Sequence, residues 1–213
     1  MIYIVGAGPG NGDYMTAEAS RAISGAGVVV SGGRLIESLG VSGGTRCVEL
    51  PPSGMSDAAV EILERESRSG DAVLLVSGDP GFYSLARRVI GHFGMERVRV
   101  IPGISSLQIM ASRIGRSWAN VASVTLHGRR LPDISELSGK LRSAPALAVL
   151  LGEMPRAMDH MRWLASDDEL GGAWAALGCD LGLPGERVRD APSLRTLIDG
   201  QYVGRLSLLW LEA

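Results

Sequence analysis

The feature that most constrains the fold of this chain is the alternation of short apolar runs with helical patterns in its first half. Each run is rich in aliphatic residues and is bounded by Gly, Pro or Ser. Such runs are typical of parallel strands buried on both faces. Four runs of this kind are recognised: Ile2–Val5, Val28–Val30, Ala72–Val76 and Val98–Ile101.

The segments between these runs show the spacing of amphipathic helices. In Ser56–Ser69, an apolar stripe of Ala59, Val60 and Leu63 lies opposite charged residues. Further helical patterns cover Tyr14–Ser24, with Asp13 as the expected N-cap, and then Phe82–His92 and Ser105–Ile114. The order of the elements predicts an α/β domain with a mostly parallel sheet and helices on both faces.

The pattern changes near Gly115–Asn120, where we place a domain boundary. The later strand runs are Ala122–Leu126, Ala146–Leu151, Ala173–Leu177 and Leu206–Leu211, with helices at Ile134–Leu141 and Pro155–Leu164. The sequence therefore predicts two α/β domains, residues 1–116 and 117–213, the second with a mixed sheet.

Charge and composition exclude several classes of partner. The net charge of −2 provides no global attraction for nucleic acid or an anionic membrane. No apolar run approaches the roughly 20 residues that span a bilayer, and the start lacks the basic region of a signal peptide. Cys47 and Cys179 lie too far apart in sequence to indicate a metal site. We expect a cytoplasmic protein.

The first candidate ligand-binding loop, Gly6–Asp13, directly follows the first strand run. Backbone can approach a ligand closely where side chains are absent. The dinucleotide fingerprint G-x-G-x-x-G fails because residue 11 is Asn, and Pro9 lacks a donor that a diphosphate would need. The loop favours a ligand without phosphates over NAD; a plain tight turn is the alternative.

Two more candidate loops, 77–83 and 101–107, end the third and fourth runs. Asp79 could accept hydrogen bonds from a ribose or an amine, or could cap the following helix. The hydroxyl of Ser105 or Ser106 could reach the same ligand, or Ser105 could be a cap. Because the carboxyl ends of parallel strands share one edge of a sheet, the three loops predict one ligand site.

The motifs GAGPG, SGDPGFYS and IPGISSLQ, in this order and spacing, resemble those of the tetrapyrrole methylase family. The resemblance covers nearly the whole chain. It implies S-adenosylmethionine in a cleft between two α/β domains, a tetrapyrrole substrate and a homodimer. Segments 125–129 and 181–188 look most like the branch that methylates carbon 5 of cobalt-precorrin-7, including the N-terminal domain of precorrin-6Y methylases.

Residue by residue, the resemblance implies a set of contacts with the cofactor and its product, S-adenosylhomocysteine. Asp79 is the expected polar anchor, and two leucines are expected to contact the adenosine by main chain. The residues implied are Pro9, Ser77, Gly78, Asp79, Phe82, Ser105, Ser106, Leu151 and Leu181.

Other residues are candidates for substrate binding or proton transfer. Arg113, Arg116 and Arg129 lie near the domain junction and could grip the carboxylates of a macrocycle, or could be solvated surface charge. His127 is the candidate base, with a structural or substrate-contacting role as the alternative. We interpret His92 and His160 as surface residues.

Three alternatives to the carbon 5 methylase remain open. One is a methylase of the same fold that acts on another corrin position, or on the modified histidine of elongation factor 2 in diphthamide synthesis. The second is a non-catalytic nucleotide-binding module. The third, an NAD-dependent dehydrogenase, is disfavoured by the broken fingerprint.

Overall fold

The computed structural model describes residues 1–41, 45–128, 130–200, 202 and 204–213. The chain divides into two compact units, Met1–Ser105 and Ser106–Ala213. Each unit is an α/β domain with its own sheet.

The described part of the first domain contains one parallel sheet. Its strands are β1 (Ile2–Gly6), β2 (Val28–Gly32), β3 (Arg46–Leu50), β4 (Ala72–Val76) and β5 (Val98–Ile101). Its helices are α1 (Ala17–Ser24), α2 (Gly33–Leu39), α3 (Met55–Glu66) and α4 (Ala86–Phe93). The strand order is β3-β2-β4-β1-β5, and the neighbours pair in parallel.

Helices cover both faces of this sheet because successive strand residues point in opposite directions. Ile4 and Leu74 are buried on the face that packs against α3 and α4. Val5, Val29 and Leu75 are buried on the opposite face, against α1 and α2. The predicted parallel sheet with helices on both faces is confirmed.

Two elements of this domain escape the sequence analysis. Strand β3 is a half-exposed edge strand, so it lacks the continuous apolar run of a central strand. Helix α2 is only seven residues long and begins at a glycine. Both are too short and too mixed in character to show a clear period.

Two predicted helix starts are wrong. The N-cap of α1 is Thr16, whose hydroxyl accepts a hydrogen bond from the amide of Ala19 at 3.1 Å. Asp13 lies instead in a single turn of 3-10 helix, Gly12–Tyr14. Helix α4 begins at Ala86 rather than Phe82, because the intervening residues form a loop in which Tyr83 has a φ of +49°.

The described part of the second domain contains a mixed sheet, as predicted. Its strands are β6 (Ala122–Thr125), β7 (Leu147–Gly152), β8 (Trp174–Cys179), β9 (Arg187–Ala191) and β10 (Ser207–Glu212). The helices are α5 (Ser106–Ile114), α6 (Ile134–Ser143), α7 (Arg156–Ala165), α8 (Asp168–Gly172) and α9 (Leu194–Leu197). In the order β6-β7-β10-β8-β9, β6 and β7 are parallel, and the other pairs are antiparallel.

Helix α5 contacts β10 and therefore groups with the second unit. The boundary that the sequence predicts, near residue 116, lies after this helix. The βα repeat pattern assigns α5, together with the strand β5 before it, to the first domain. Helices α6 to α9 pack over a core that includes Leu147, Val149 and Leu209. Among the described residues, the helices all fall short of the length and apolarity that crossing a membrane requires.

Candidate functional site

The loops after β1 and β4 lie at the switch point of the first sheet. These strands are neighbours, but the helix after β1 packs on one face and the helix after β4 packs on the other. Where connections diverge in this way, the loops leave a crevice at the carboxyl edge of the sheet, and ligands of open α/β sheets bind there. The geometry therefore places a candidate ligand site at this edge.

Three loops meet at this edge through glycine backbone. A Cβ on Gly103 would lie 2.4 Å from the carbonyl oxygen of Gly78 and 2.7 Å from the carbonyl carbon of Gly6. A Cβ on Gly6 would lie 2.6 Å from the amide nitrogen of Gly103. Because no side chain fits at such distances, these positions require glycine, and the three sequence motifs form one structural unit.

Gly8 and Gly78 form an isolated antiparallel bridge just beyond the parallel strands β1 and β4. The amide of Gly78 donates to the carbonyl of Gly8 at 2.7 Å, and the reverse bond is 3.3 Å long. Both residues have positive φ, +62° and +69°, which glycine adopts without strain. This pair, called here the glycine bridge, fixes the loop after β1 against the loop after β4.

The carboxylate of Asp79 joins the loops after β4 and β5. One oxygen accepts from the amide of Gly81 at 2.8 Å, and the other accepts from the amide of Gly103 at 3.0 Å. Leu85, not Asp79, occupies the N-cap position of α4. A carboxylate offers about four acceptor sites, so these two bonds leave acceptor capacity for a ligand. A contact between Asp79 and a ligand stays a prediction.

The other residues of the first domain that are expected at the site also lie at this edge. Pro9 is buried in the first loop, Ser77 is exposed at the end of β4, and Phe82 is half-buried. Ser105, 5% exposed, ends the first unit, and Ser106 begins α5. The structure thus brings the loop residues of the first domain together, while their contacts with a ligand stay predictions.

In the second domain, His127 lies against the end of β7. A Cβ on Gly152, whose φ is +87°, would lie 2.3 Å from Nδ1 of His127. The two residues meet because β6 and β7 are parallel neighbours whose carboxyl ends lie side by side. The His127 side chain is exposed there, and its role as a base stays a prediction.

Another histidine, His160, contacts the backbone of Leu151. Nδ1 of His160 lies 3.3 Å from the carbonyl oxygen of Leu151. His160 is half-buried, so its interpretation as a surface residue is wrong. His92 pairs with Glu64 at the surface, at 3.1 Å.

Leu181 is buried in the loop after β8. Its side chain covers Gly178, where a Cβ would lie 2.8 Å from Cδ2 of Leu181. The preceding residue, Asp180, has a φ of +49° and accepts hydrogen bonds from the amides of Arg205 and Leu206 at 3.0 and 3.1 Å. The loop is thus well fixed, and a ligand contact through the main chain of Leu181 is compatible with this packing.

The pattern of the family described as Tetrapyrrole (Corrin/Porphyrin) Methylases matches residues 1–197. The chain belongs to the tetrapyrrole methylase family. The members of this family are methyltransferases that depend on S-adenosylmethionine. The resemblance on which the sequence analysis relies is therefore confirmed.

Two curated relatives of this tetrapyrrole methylase carry the same function in their names. The chain is 34% identical over 129 residues to the cobalt-precorrin-7 C(5)-methyltransferase of Salmonella typhimurium, covering 61% of this chain and 62% of that protein. It is 30% identical over 131 residues to a probable cobalt-precorrin-7 C(5)-methyltransferase of Methanocaldococcus jannaschii, covering 61% of each. The match thus spans about three fifths of the length of these relatives.

Solved structures share the fold over the whole chain. A uroporphyrin-III C-methyl transferase from Thermus thermophilus, complexed with S-adenosylhomocysteine, has a TM-score of 0.78 at 22% identity and covers 99% of this chain and 96% of its own. A diphthine synthase has a TM-score of 0.78 at 22% identity, with coverage of 100% and 89%. These likenesses establish the fold.

Two of the arginines expected to bind substrate, Arg113 and Arg116, have carboxylate partners. Arg113 forms a two-pronged ion pair with Glu186, in which Nη2 lies 3.2 Å from Oε2. Hydrogen bonding by Arg113, and also by the amide of Gly182, holds the pKa of Glu186 below its ordinary value despite partial burial. Arg116 pairs with Glu212 at 3.0 Å. Arg129 lies outside the described residues, and substrate binding by all three stays a prediction.

Arg34, which no motif in the sequence indicated, contacts two loops of the candidate site. Nη1 donates to the carbonyl oxygen of Pro9 and Nη2 donates to the hydroxyl oxygen of Ser77, both at 3.2 Å. The signal that could have found it is the Ser31-Gly32-Gly33-Arg34 segment, a fourth glycine-rich strand end at the same edge of the sheet.

Proposed function

We propose that this chain is a C-methyltransferase of cobalamin synthesis that uses S-adenosylmethionine to methylate carbon 5 of cobalt-precorrin-7. The observation that carries the proposal is the glycine-lined switch point in a chain of the tetrapyrrole methylase family. The 34% identity to the Salmonella typhimurium enzyme supports the choice of carbon 5.

The residues at the switch point fit S-adenosylmethionine better than a dinucleotide. The loop after β1 has Asn11 in place of the last fingerprint glycine, and the side chain of Asn11 accepts a hydrogen bond from the amide of Asp13. Pro9 provides a carbonyl but lacks an amide proton, which suits a cofactor without phosphates. Pro9, Ser77 and Asp79 would hold the cofactor from the first domain.

The chain's contribution to methyl transfer would be positioning. When bound, the sulfonium of the cofactor supplies an electrophilic methyl carbon. The loops at the carboxyl edge then have to hold that carbon in line with the electron-rich ring carbon of the acceptor. Such positioning is worth at most about 7–11 kcal/mol for an ideally held pair.

His127 is the proposed acceptor of any proton that the methylated ring carbon must lose. Its imidazole is exposed at the end of β6 and is oriented by its contact with Gly152. A neutral imidazole accepts a proton near neutral pH. Arg113, Arg116 and Arg129 are the proposed contacts to the carboxylates of the macrocycle, because guanidinium groups bind carboxylates through two parallel hydrogen bonds.

Calorimetric titration with S-adenosylhomocysteine tests the cofactor first. We expect saturable binding by the wild-type protein and weaker binding by Asp79→Asn, with Asp57→Asn as a control because Asp57 is exposed on α3. Mass spectrometry after incubation with cobalt-precorrin-7 and S-adenosylmethionine then tests the reaction. Failure of the folded wild-type protein to bind S-adenosylhomocysteine, with or without the tetrapyrrole, would contradict the proposal.

A methylase for another acceptor is the second candidate, favoured by the likeness to diphthine synthase over 100% of this chain. Parallel reactions with other cobalt-precorrins and with elongation factor 2 separate the candidates by which acceptor gains a methyl group. Binding of the cofactor product without methylation of any acceptor would favour a non-catalytic module. We also propose a homodimer, as the family resemblance implies, which sedimentation velocity tests.

A further inference from the structure

Arg34 is carried on a well-anchored part of the first domain. It is the second residue of α2, and the next residue, Leu35, is buried in the core at 5% exposure. Helix α2 follows β2, which is the neighbour of β4 in the sheet. The start of α2 therefore lies beside the loop that contains Ser77, and the half-buried Arg34 side chain extends to that loop and to the loop after β1.

The acceptors Pro9 and Ser77 lie next to the glycine bridge, one in each loop. Pro9 follows Gly8 and Ser77 precedes Gly78, so the guanidinium contacts both chain segments that the bridge joins. A guanidinium presents its donors in a rigid planar fork and stays charged at all accessible pH values. One rigid group thus sets the separation between the loops after β1 and β4.

The contact with Arg34 also determines which hydrogen bond Ser77 can offer. A guanidinium only donates, so the bond from Nη2 uses an acceptor lone pair of the Ser77 hydroxyl. The hydroxyl proton is then directed away from Arg34. Because Ser77 is exposed at the carboxyl edge of β4, that proton is presented to a ligand group that accepts a hydrogen bond.

We propose that Arg34 is a positioning residue of the cofactor site, which holds the loops after β1 and β4 together and orients the Ser77 hydroxyl as a donor to the cofactor. The ligand group that it serves is an acceptor, such as a carboxylate or a ribose hydroxyl. The orientation of Ser77 toward the cofactor rests on the proposed function, whereas the holding of the loops does not.

Hydrogen exchange of the Gly78 amide tests the positioning without any ligand. This amide donates across the glycine bridge, so Arg34→Gln is expected to accelerate its exchange. The matched control is Arg87→Gln, which removes an exposed arginine of α4 on the opposite face of the sheet. Unchanged exchange in folded Arg34→Gln protein would overturn the proposal.

Calorimetry with S-adenosylhomocysteine tests the orientation of Ser77. We expect Arg34→Gln and Ser77→Ala each to weaken binding about tenfold, the equivalent of one lost hydrogen bond. We expect the double variant to bind no more weakly than Arg34→Gln, because Ser77 without Arg34 is no longer oriented. Losses that add in the double variant would overturn the orientation of Ser77 by Arg34.

Arg34→Lys distinguishes a bridging role from a simple charge. Lysine keeps the positive charge but replaces the fork with a single ammonium, so we expect it to restore little of the lost affinity. Full rescue by lysine would overturn the bridging role. If wild-type protein fails to bind S-adenosylhomocysteine while Arg34→Gln still accelerates Gly78 exchange, the proposed function and the orientation of Ser77 fail and the holding of the loops stands.

Discussion

At the scale of single residues, the candidate site depends on glycine positions that have no room for a side chain. A Cβ on Gly6 or Gly103 would collide with backbone atoms of a neighbouring loop, whereas Gly78 is favoured by its φ of +69°. Asp79 then joins two of the loops through backbone amides rather than through another side chain. The glycines and Asp79 of these motifs are therefore needed to pack the loops at the switch point against one another, whether or not a ligand is bound.

Gly103→Ala tests this packing requirement. Its Cβ would collide with backbone of two other loops, which cannot move independently, so we expect a loss of about 1–3 kcal/mol in the free energy of unfolding. Gly12→Ala is the matched control, because a Cβ there would meet no described atom within 4 Å. Urea denaturation measures both variants, and equal stability of the two would show that the loops are not in contact as described.

Asp79→Asn tests the link between the loops after β4 and β5. An amide has one oxygen, so one of the two backbone donors, from Gly81 or Gly103, would face an NH2 group instead of an acceptor. We expect the free energy of unfolding to fall by about 1–3 kcal/mol. Denaturation without ligand measures this effect. A variant as stable as wild type that binds S-adenosylhomocysteine weakly would assign Asp79 to ligand contact alone.

At the scale of elements, strands with a short, mostly apolar run are predictable, including the edge strands β5 and β6, whereas strands of mixed residues are not. The central strands β1 and β4 appear in the sequence as continuous apolar runs because both faces are covered. Strands β3 and β9 lie at sheet edges, where exposed charged residues alternate with half-buried ones. In β3 and β9 this exposure interrupts the apolar run, so these two strands are recognised only from their pairing in the structure.

The end of α3 is anchored to the edge strand β3 by the ion pair between Glu66 and Arg46. Glu66, 6% exposed, accepts hydrogen bonds from Arg46 and from Arg65, the latter at 3.0 Å. Bonds from Arg46 first, and then from Arg65, hold the pKa of Glu66 below its ordinary value of 4.5. The carboxylate therefore stabilises the fold above the pKa of the unfolded chain. This stabilisation is lost as the pH falls through the lower pKa of the folded state.

Glu66→Gln tests this acid sensitivity. We expect the variant to be less stable than wild type at neutral pH and to lose less stability on acidification below about pH 4.5. Glu61→Gln, an exposed position on the same helix, serves as the control and should follow wild type. Unfolding free energies from urea titrations at a series of pH values give the comparison. Parallel curves for Glu66→Gln and wild type would contradict the assignment.

At the scale of the whole molecule, the family and the two-domain α/β architecture can be predicted because they depend on motifs and periodicity. The tertiary contacts of the site cannot. Arg34 contacts Pro9 and Ser77, which lie 25 and 43 residues away in the sequence. A contact between residues so far apart produces no local sequence pattern from which it could be predicted. Likewise, the contact of His160 with the Leu151 carbonyl depends on how α7 packs on its sheet.

Ligand binding should be visible in the stability of the whole chain. A ligand that binds only the native state at 100 times its dissociation constant adds about 2.7 kcal/mol to the free energy of unfolding. We therefore expect S-adenosylhomocysteine to raise the thermal midpoint and NAD at the same concentration to leave it unchanged. Differential scanning calorimetry measures both. A larger shift with NAD would favour the dehydrogenase that the broken fingerprint argues against.

The position of β1 between β4 and β5 has a consequence for synthesis on the ribosome. Ile2 pairs with Ala72 on one side and with Val98 on the other. At about 5–20 residues per second, both partners emerge several seconds after β1 itself. The nascent chain must therefore carry an unpaired apolar strand through most of the translation of its first domain. Chaperones that hold extended apolar segments would find a target in β1 until both partners have been synthesised.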